Sequence, residues 1–291
     1  MNSILSALVF VLLYGVSYGV VLFTISVGLV LTLGLMRVIN LAHGAFAAIG
    51  GYLAVALMNE AGVPFAAAVA IAVAATAAIS VVVERLFYVD LYRASDLDQV
   101  LMTVGLMFLT TASLNLLFGP DIIPGDLPPY LARSVDLGIR AFQAYRIFVV
   151  MLGMVLILGL WLLFERTEFG ARLRAAVDNR GMAEAMGIDV GRLFTIAFVL
   201  GSALAALGGA VGYPLFPLEP LYPFKYLTLV LIVVSLADFG NIKASAVAAI
   251  LVGIVDTGGR YLFPVSGSFL VNALFILVMM HRTGLLRVRI A

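Results

Sequence analysis

No charged side chain occurs before Arg37, and from Ile4 to Leu35 the chain is an almost unbroken apolar run. A bilayer core about 30 Å thick needs about 20 such residues per helix, so a run of this kind is read as membrane-spanning. Similar runs recur to the far end: Leu41 to Met58, Pro64 to Val83, Val100 to Phe118, Ile147 to Phe164, Leu193 to Leu215, Tyr226 to Leu236, Ala244 to Phe263 and Ser268 to Met280. Together they predict about nine crossings, with roughly eight to ten as the range the runs allow, because Ile4 to Leu35 can also fold as two short passes. The expected fold class is therefore all-α, a polytopic transmembrane helical bundle in one domain over residues 1–291.

Composition agrees. Of the 291 residues 64% are hydrophobic and 11% charged, where a soluble domain carries about 25% charged residues. The net charge of +1 comes with no long basic run, which argues against nucleic-acid or polybasic lipid binding. The absence of cysteine excludes disulfides and thiolate metal sites, and His43 and His281 are far apart in sequence, so no metal ligand set is expected. Before Arg37 there is no positive stretch of the kind that opens a cleavable signal peptide, so the first apolar segment is expected to be retained.

Cytoplasmic loops of membrane proteins collect Lys and Arg. Placing segments 84–99, 165–192, 238–243 and the C-terminal tail on one side gathers Arg85, Arg93, Arg166, Arg172, Arg174, Arg180, Arg192, Lys243, Arg282, Arg287 and Arg289 there, with Arg37 joining them. Only Arg133, Arg140, Arg146, Lys225 and Arg260 fall opposite. The first side is read as cytoplasmic, which puts the C-terminus inside and the N-terminus outside if Ile4 to Leu35 crosses once. The outer segment 119–146 holds Pro120, Pro124, Pro128 and Pro129, so it is expected to be an extended, turn-rich cap rather than a further spanning helix. It either shields a pore entrance or is an ordinary structured loop.

The segment from Thr167 to Ile188, within a cytoplasmic stretch of about 166–190, reads as two short helices. The first runs from about Glu168 to Val177; Asp178 or Asn179 can cap the second, and Gly187 can end it with positive φ. Alanines at 171, 175, 176, 183 and 185 allow close approach of another surface, while the arginines offer directional contacts to carboxylates. That suits a docking surface for a soluble partner; the alternative is a solvated basic loop.

Here a resemblance becomes specific. The chain resembles the permeases of branched-chain amino acid type ABC importers, the high-affinity branched-chain amino acid and urea/amide uptake permeases. The matching pieces are Gly34-Leu35-Met36-Arg37-Val38-Ile39-Asn40-Leu41-Ala42-His43-Gly44, Glu84-Arg85, Thr103-Val104-Gly105, the loop at 167–188 and Gly284-Leu285, in the family's order over essentially the whole length. Two departures stand out: Phe239-Gly240-Asn241 replaces a glycine-richer turn, and the ending His281-Arg282-Thr283-Gly284-Leu285 lacks the usual proline. The resemblance implies that Glu168, Phe169, Gly170, Arg172, Arg174, Ala175, Asp178, Asn179, Ala183, Met186 and Gly187 couple the spans to cytoplasmic ATPases. It further implies two such ATPases, a homologous second permease subunit and an extracytoplasmic solute-binding protein in a bacterial inner membrane. The chain has no Gly-x-x-x-x-Gly-Lys-Ser/Thr phosphate loop, so no cofactor is expected on it and ATP would be bound by the partners.

Three further features carry rival readings. Asn40 and His43, with Gly44, lie where two apolar segments meet; polar groups there either line a translocation path, with Thr103 of the matching motif, or tie helix ends together. Asp238 is expected at the cytoplasmic edge, whereas Asp256 lies inside a span with Arg260 four positions on, which favours a helical ion pair over a binding site. Gly15-x-x-x-Gly19 and Gly208-x-x-x-Gly212 are helix-packing patterns, and Tyr213, Pro214, Tyr222 and Pro223 suggest an aromatic interface belt or part of an outer vestibule.

The leading expectation is half of an ATP-driven translocation pore for branched-chain or other amino acids or a related small polar solute. A self-sufficient secondary transporter or channel is the alternative, and it would need ion-coupling acids deep in the spans, which are scarce apart from Asp256. An intramembrane enzyme is disfavoured because no cysteine, no His-Glu-x-x-His helix and no paired intramembrane carboxylates are present.

Overall fold

The structure, a computed structural model, describes residues 2–36, 38–92, 94–136, 141–237, 241–264 and 267–282. Arg37, Arg93, Arg140, Asp238, Phe239, Gly240, Gly284-Leu285, Arg287 and Arg289 lie outside the described residues.

Helices α1 (Asn2–Leu35), α2 (His43–Asn59) and α3 (Phe65–Val83) open the chain. A π-helical turn, Glu84–Tyr88, leads from α3 into the short α4 (Val89–Leu91). Helix α5 (Asp96–Phe118) follows, its N-terminus capped by Ser95, which accepts from the Asp98 N–H. The link to α7 contains α6 (Pro129–Ala132) and an antiparallel pair, β1 (Ser134–Asp136) and β2 (Ala141–Gln143). Then come α7 (Ala144–Arg166), α8 (Glu168–Asp178), α9 (Arg180–Ala185), α10 (Val190–Gly212), α11 (Tyr222–Ala237), α12 (Ile242–Leu262) and α13 (Gly267–Arg282).

Ile4 to Leu35 is thus one helix rather than two passes. Six helical stretches are long and apolar enough to cross a membrane: Ala7–Gly34, Phe65–Leu91, Asp96–Phe118, Ala144–Arg166, Val190–Gly212 and Ile242–Leu262. Three more apolar helices, His43–Asn59, Tyr222–Ala237 and Phe269–His281, coincide with expected runs and are shorter, at 10–17 residues. Length and composition by themselves thus support six of the expected crossings among the described residues.

Helix α1 is the centre of the bundle, with Leu22, Phe23, Ile25 and Leu29 fully buried. Lipid tails are as apolar as these side chains, so association rests on close van der Waals fit rather than on the hydrophobic effect. Both small-residue patterns fall on the α1 interfaces. A methyl group on Gly19 would lie 2.6 Å from the Ile250 Cα, and one on Gly208 would lie 2.6 Å from Ile25. The pairings Gly15 with Ile254 and Gly19 with Ile250, like Gly28 with Gly201 and Gly212 with Val21, run in opposite sequence directions. Helix α1 is accordingly antiparallel to both α12 and α10.

The proline-rich link is largely irregular, as expected, and is tied down by an isolated bridge between Ile123 and Leu218 and by Asn59 Nδ2 donating to the Pro124 carbonyl at 3.0 Å. The aromatic-belt reading does not hold for Tyr213 and Tyr222, which are 5% and 1% exposed. Tyr213 instead turns inward and donates its hydroxyl to the Asp126 carbonyl at 3.0 Å.

Candidate functional site: an internal helix start and a two-helix knob

Helix α1 ends at Leu35, yet the first residue of α2 is not at that end. His43 Nε2 donates to the carbonyl of Ile25 at 2.8 Å, a residue roughly 15 Å before the end of α1 at helical rise. The chain from Val38 to Ala42 therefore doubles back along α1, and α2 starts inside the bundle. It meets the first turn of α11 there: a methyl on Gly44 would stand 3.1 Å from the Pro223 carbonyl oxygen. Non-helical backbone at such depth is tolerated only where protein or a cavity satisfies it.

Protein side chains do so here. Asn40 Oδ1 accepts from the Tyr88 hydroxyl at 2.6 Å, and the Ile39 N–H donates to Gln99 Oε1 at 2.8 Å. Gln99 Nε2 in turn donates to the Leu91 carbonyl at 3.1 Å, so one amide holds the doubled-back segment to the start of α5. Asn40 and His43 are buried, and Asn40 Nδ2 and His43 Nδ1 have no partner among the described residues. Thr103 is also buried, but its hydroxyl donates to the Gln99 carbonyl of its own helix at 2.8 Å. Asn40 and His43 thus share one break, while Thr103 reaches it only through Gln99. Sequence reasoning missed Gln99 and Tyr88; the available signal was the polar pair Gln99 and Thr103 at helical spacing on an apolar span.

Glu84, on the π-helical turn, is 1% exposed. Its Oε1 accepts from the Tyr92 hydroxyl at 2.6 Å and the Thr195 hydroxyl at 3.1 Å, which joins this turn to the start of α10. A cavity of about 430 Å³ beside it, lined in part by Arg85, Arg180 and Thr195, lies between this turn and the starts of α9 and α10; α8 and α9 together form a knob.

The knob follows the sequence reading closely. Thr167 caps α8, accepting from the Gly170 N–H; Asn179 caps α9, accepting from the Met182 N–H at 3.0 Å; and Gly187 closes it with φ +82°. Glu168 with Arg172 at 2.7 Å and Arg180 with Glu184 at 2.9 Å form ion pairs along the two helices. Such exposed pairs contribute little to stability. Gly170 is needed for packing, because a methyl there would lie 2.0 Å from the Phe164 carbonyl oxygen, and Arg174 donates to that same carbonyl. Phe169 packs its ring against Phe164, and Ala183 is buried with Leu173 and Ala176. These residues hold the knob to α7 and α10. Ala175, Asp178, Asn179, Gly187 and the two methionines Met182 and Met186, at 61% and 76% exposed, form the free face.

Elsewhere, Asp256 and Arg260 form the expected ion pair, Nε to Oδ2 at 2.9 Å, with the carboxylate buried. Among the described residues no group of three or more His, Cys, Asp or Glu is placed to hold a metal.

Comparison with known proteins gives this geometry a family. The sequence model described as "Branched-chain amino acid transport system / permease component" matches residues 11–280. The high-affinity branched-chain amino acid transport system permease protein BraD of Pseudomonas aeruginosa is 26% identical over 292 residues, 94% of each chain. The permease protein LivH of Escherichia coli K12, from a system of the same description, is 24% identical over 289 residues, 94% of this chain and 93% of its own. The probable branched-chain amino acid transport permease protein LivH of Methanocaldococcus jannaschii is 25% identical over 202 residues, 67% of this chain and 62% of that one. No solved structure matches at a significant level. With a family match over nearly its whole length, the chain belongs to the permease components of branched-chain amino acid transport systems.

Proposed function

We propose that the chain is the membrane-spanning permease of an ATP-driven importer, forming half of the translocation path for branched-chain or other amino acids or a related small polar solute. A homologous second permease completes the path, two cytoplasmic ATPases drive it, and an extracytoplasmic binding protein delivers the solute. ATP stays on the ATPase subunits. The chain is a single domain of about nine crossings in a bacterial inner membrane, with the N-terminus outside and the C-terminus inside. The antiparallel course of α1 against α10 and α12 supports that alternation.

The observation that carries the reading is the knob. It is built from two capped helices between α7 and α10, held by Gly170 and Ala183, and it presents two exposed methionines among small residues. Methionine is an adaptable contact residue and alanine permits close approach, which suits a groove on a soluble partner. Closure of the ATPases would push the knob and move α10 as a rigid body against α1 and α2. The internal start of α2, with Asn40 and His43, then borders the interface along which α10 moves, which supports a place for both along the path.

The test uses the whole complex. Met186→Glu places a charge in the contact, so the ATPases are expected to co-purify at least about tenfold less, with an unchanged melting temperature of the permease. Normal ATPase association and normal ATP-dependent uptake by a Met182→Glu, Met186→Glu double variant would remove the coupling assignment.

A further inference from the structure

Three of the five cations expected on the outer side, Arg146, Lys225 and Arg260, line a single cavity of about 530 Å³ between α1, α7, α11 and α12. It lies where the hairpin enters α7, where α12 ends, and beside the 213–221 link, on the face opposite the knob. Two of the cations are already matched: Arg260 by Asp256, and Lys225 by Glu219. Arg146 is not. Its guanidinium sits 3.9 Å above the ring of Tyr14 and donates to Ser17 Oγ at 2.9 Å, while its Nε is buried without a partner among the described residues. Among the described residues no carboxylate lies within ion-pair distance of it.

The cavity thus combines one surplus positive charge, a buried carboxylate in Asp256 and an apolar wall. Tyr18 stacks on Phe216 at 4.4 Å, the tilted rings of Phe10 and Tyr14 have centroids 4.0 Å apart, and Pro214, Leu215 and Pro217 line the remainder. A charged group at this depth is stable only when paired or wet, and an arginine fork is suited to a carboxylate. We propose that this cavity is a binding site for a small zwitterionic amino acid with an aliphatic side chain: Arg146 holds its carboxylate, Asp256 faces its ammonium group, and the aromatic and proline wall takes the side chain. A lipid phosphate would satisfy Arg146 but would meet Asp256 as a like charge and leave the apolar wall without a role. The assignment rests on the reading of the chain as an amino acid permease and names where, within one subunit, the solute is held.

The chain contains no cysteine, so one introduced thiol can be followed without background. Thr257 lines the cavity and is half-buried. In the assembled transporter in liposomes, Thr257→Cys is labelled with a thiol-specific methanethiosulfonate reagent in the presence of leucine, leucinamide or inorganic phosphate, and in vesicles with and without phosphatidylglycerol. Leucine is expected to slow labelling and leucinamide, which lacks the carboxylate, to have no effect. Adding Arg146→Gln is expected to raise the half-protecting leucine concentration roughly 10- to 100-fold, the loss of one charge-assisted contact; Arg146→Lys should restore part of it. Labelling of a transport-competent protein that is indifferent to leucine, or protection by leucine and leucinamide alike, would overturn the site. So would protection by phosphate or phosphatidylglycerol in place of leucine, which would make it an anion or lipid site. ATP-dependent leucine uptake by the same vesicles separates the two readings: uptake without protection refutes only the site, and protection without uptake refutes only the importer.

Discussion

Gly28 stands where the three helices of the site meet. A methyl group at that position would lie 2.3 Å from the Gly201 carbonyl oxygen and 2.5 Å from His43 Cε1, where ordinary contact begins near 3.4 Å. Gly28→Ala therefore demands a displacement of about 1 Å against α10 and against the first residue of α2 at once. Neither neighbour yields easily: one is backbone, and the other is an imidazole held to the Ile25 carbonyl. Overpacking of this kind costs about 1–3 kcal/mol, and at about 2 °C per kcal/mol for a chain of this size the melting temperature should fall by roughly 2–6 °C. The companion variant is Gly159→Ala on α7, where a methyl meets nothing within 4 Å. There the gain in helix propensity, up to about 1 kcal/mol, should leave the melting temperature equal or slightly higher. Both would be measured by thermal melting of the purified chain in one detergent, followed by far-ultraviolet circular dichroism, with uptake normalised to the amount of protein in the membrane. Identical melting of the two variants, with normal uptake by Gly28→Ala, would refute the convergence of α1, α2 and α10 at this point.

Asn40→Ala strands the buried Tyr88 hydroxyl and should destabilise the chain by about 1–3 kcal/mol, and Tyr88→Phe in the same chain should recover part of that loss; unchanged uptake by Asn40→Ala at normal expression would remove Asn40 from the path. Gly170→Ala drives a methyl into the Phe164 carbonyl, so it should tilt α8 and reduce the uptake obtained per ATP hydrolysed with little change in overall helix content. Equal coupling ratios in the variant and the parent would show that the seat of α8 on α7 does not matter.

Local chemistry was legible in the amino acids themselves. Apolar run length located the helices, because the bilayer or a bundle interior demands uninterrupted backbone bonding over that span. The Asp178-Asn179 pair and Gly187 announced the ends of the second knob helix because caps are decided within a few residues, and the Asp256–Arg260 pair followed from a one-turn spacing on a single helix. What sequence could not decide was where helices meet and at what depth. That α2 begins beside Ile25, that Gln99 holds Ile39, that Tyr213 and Tyr222 point inward, and that Arg146, Lys225 and Arg260 share one cavity all depend on contacts between residues distant in the chain. Hydropathy has no term for such contacts: in an apolar bundle the choice of partner is made by shape, by which glycine admits which neighbouring backbone, and only the assembled helices show it.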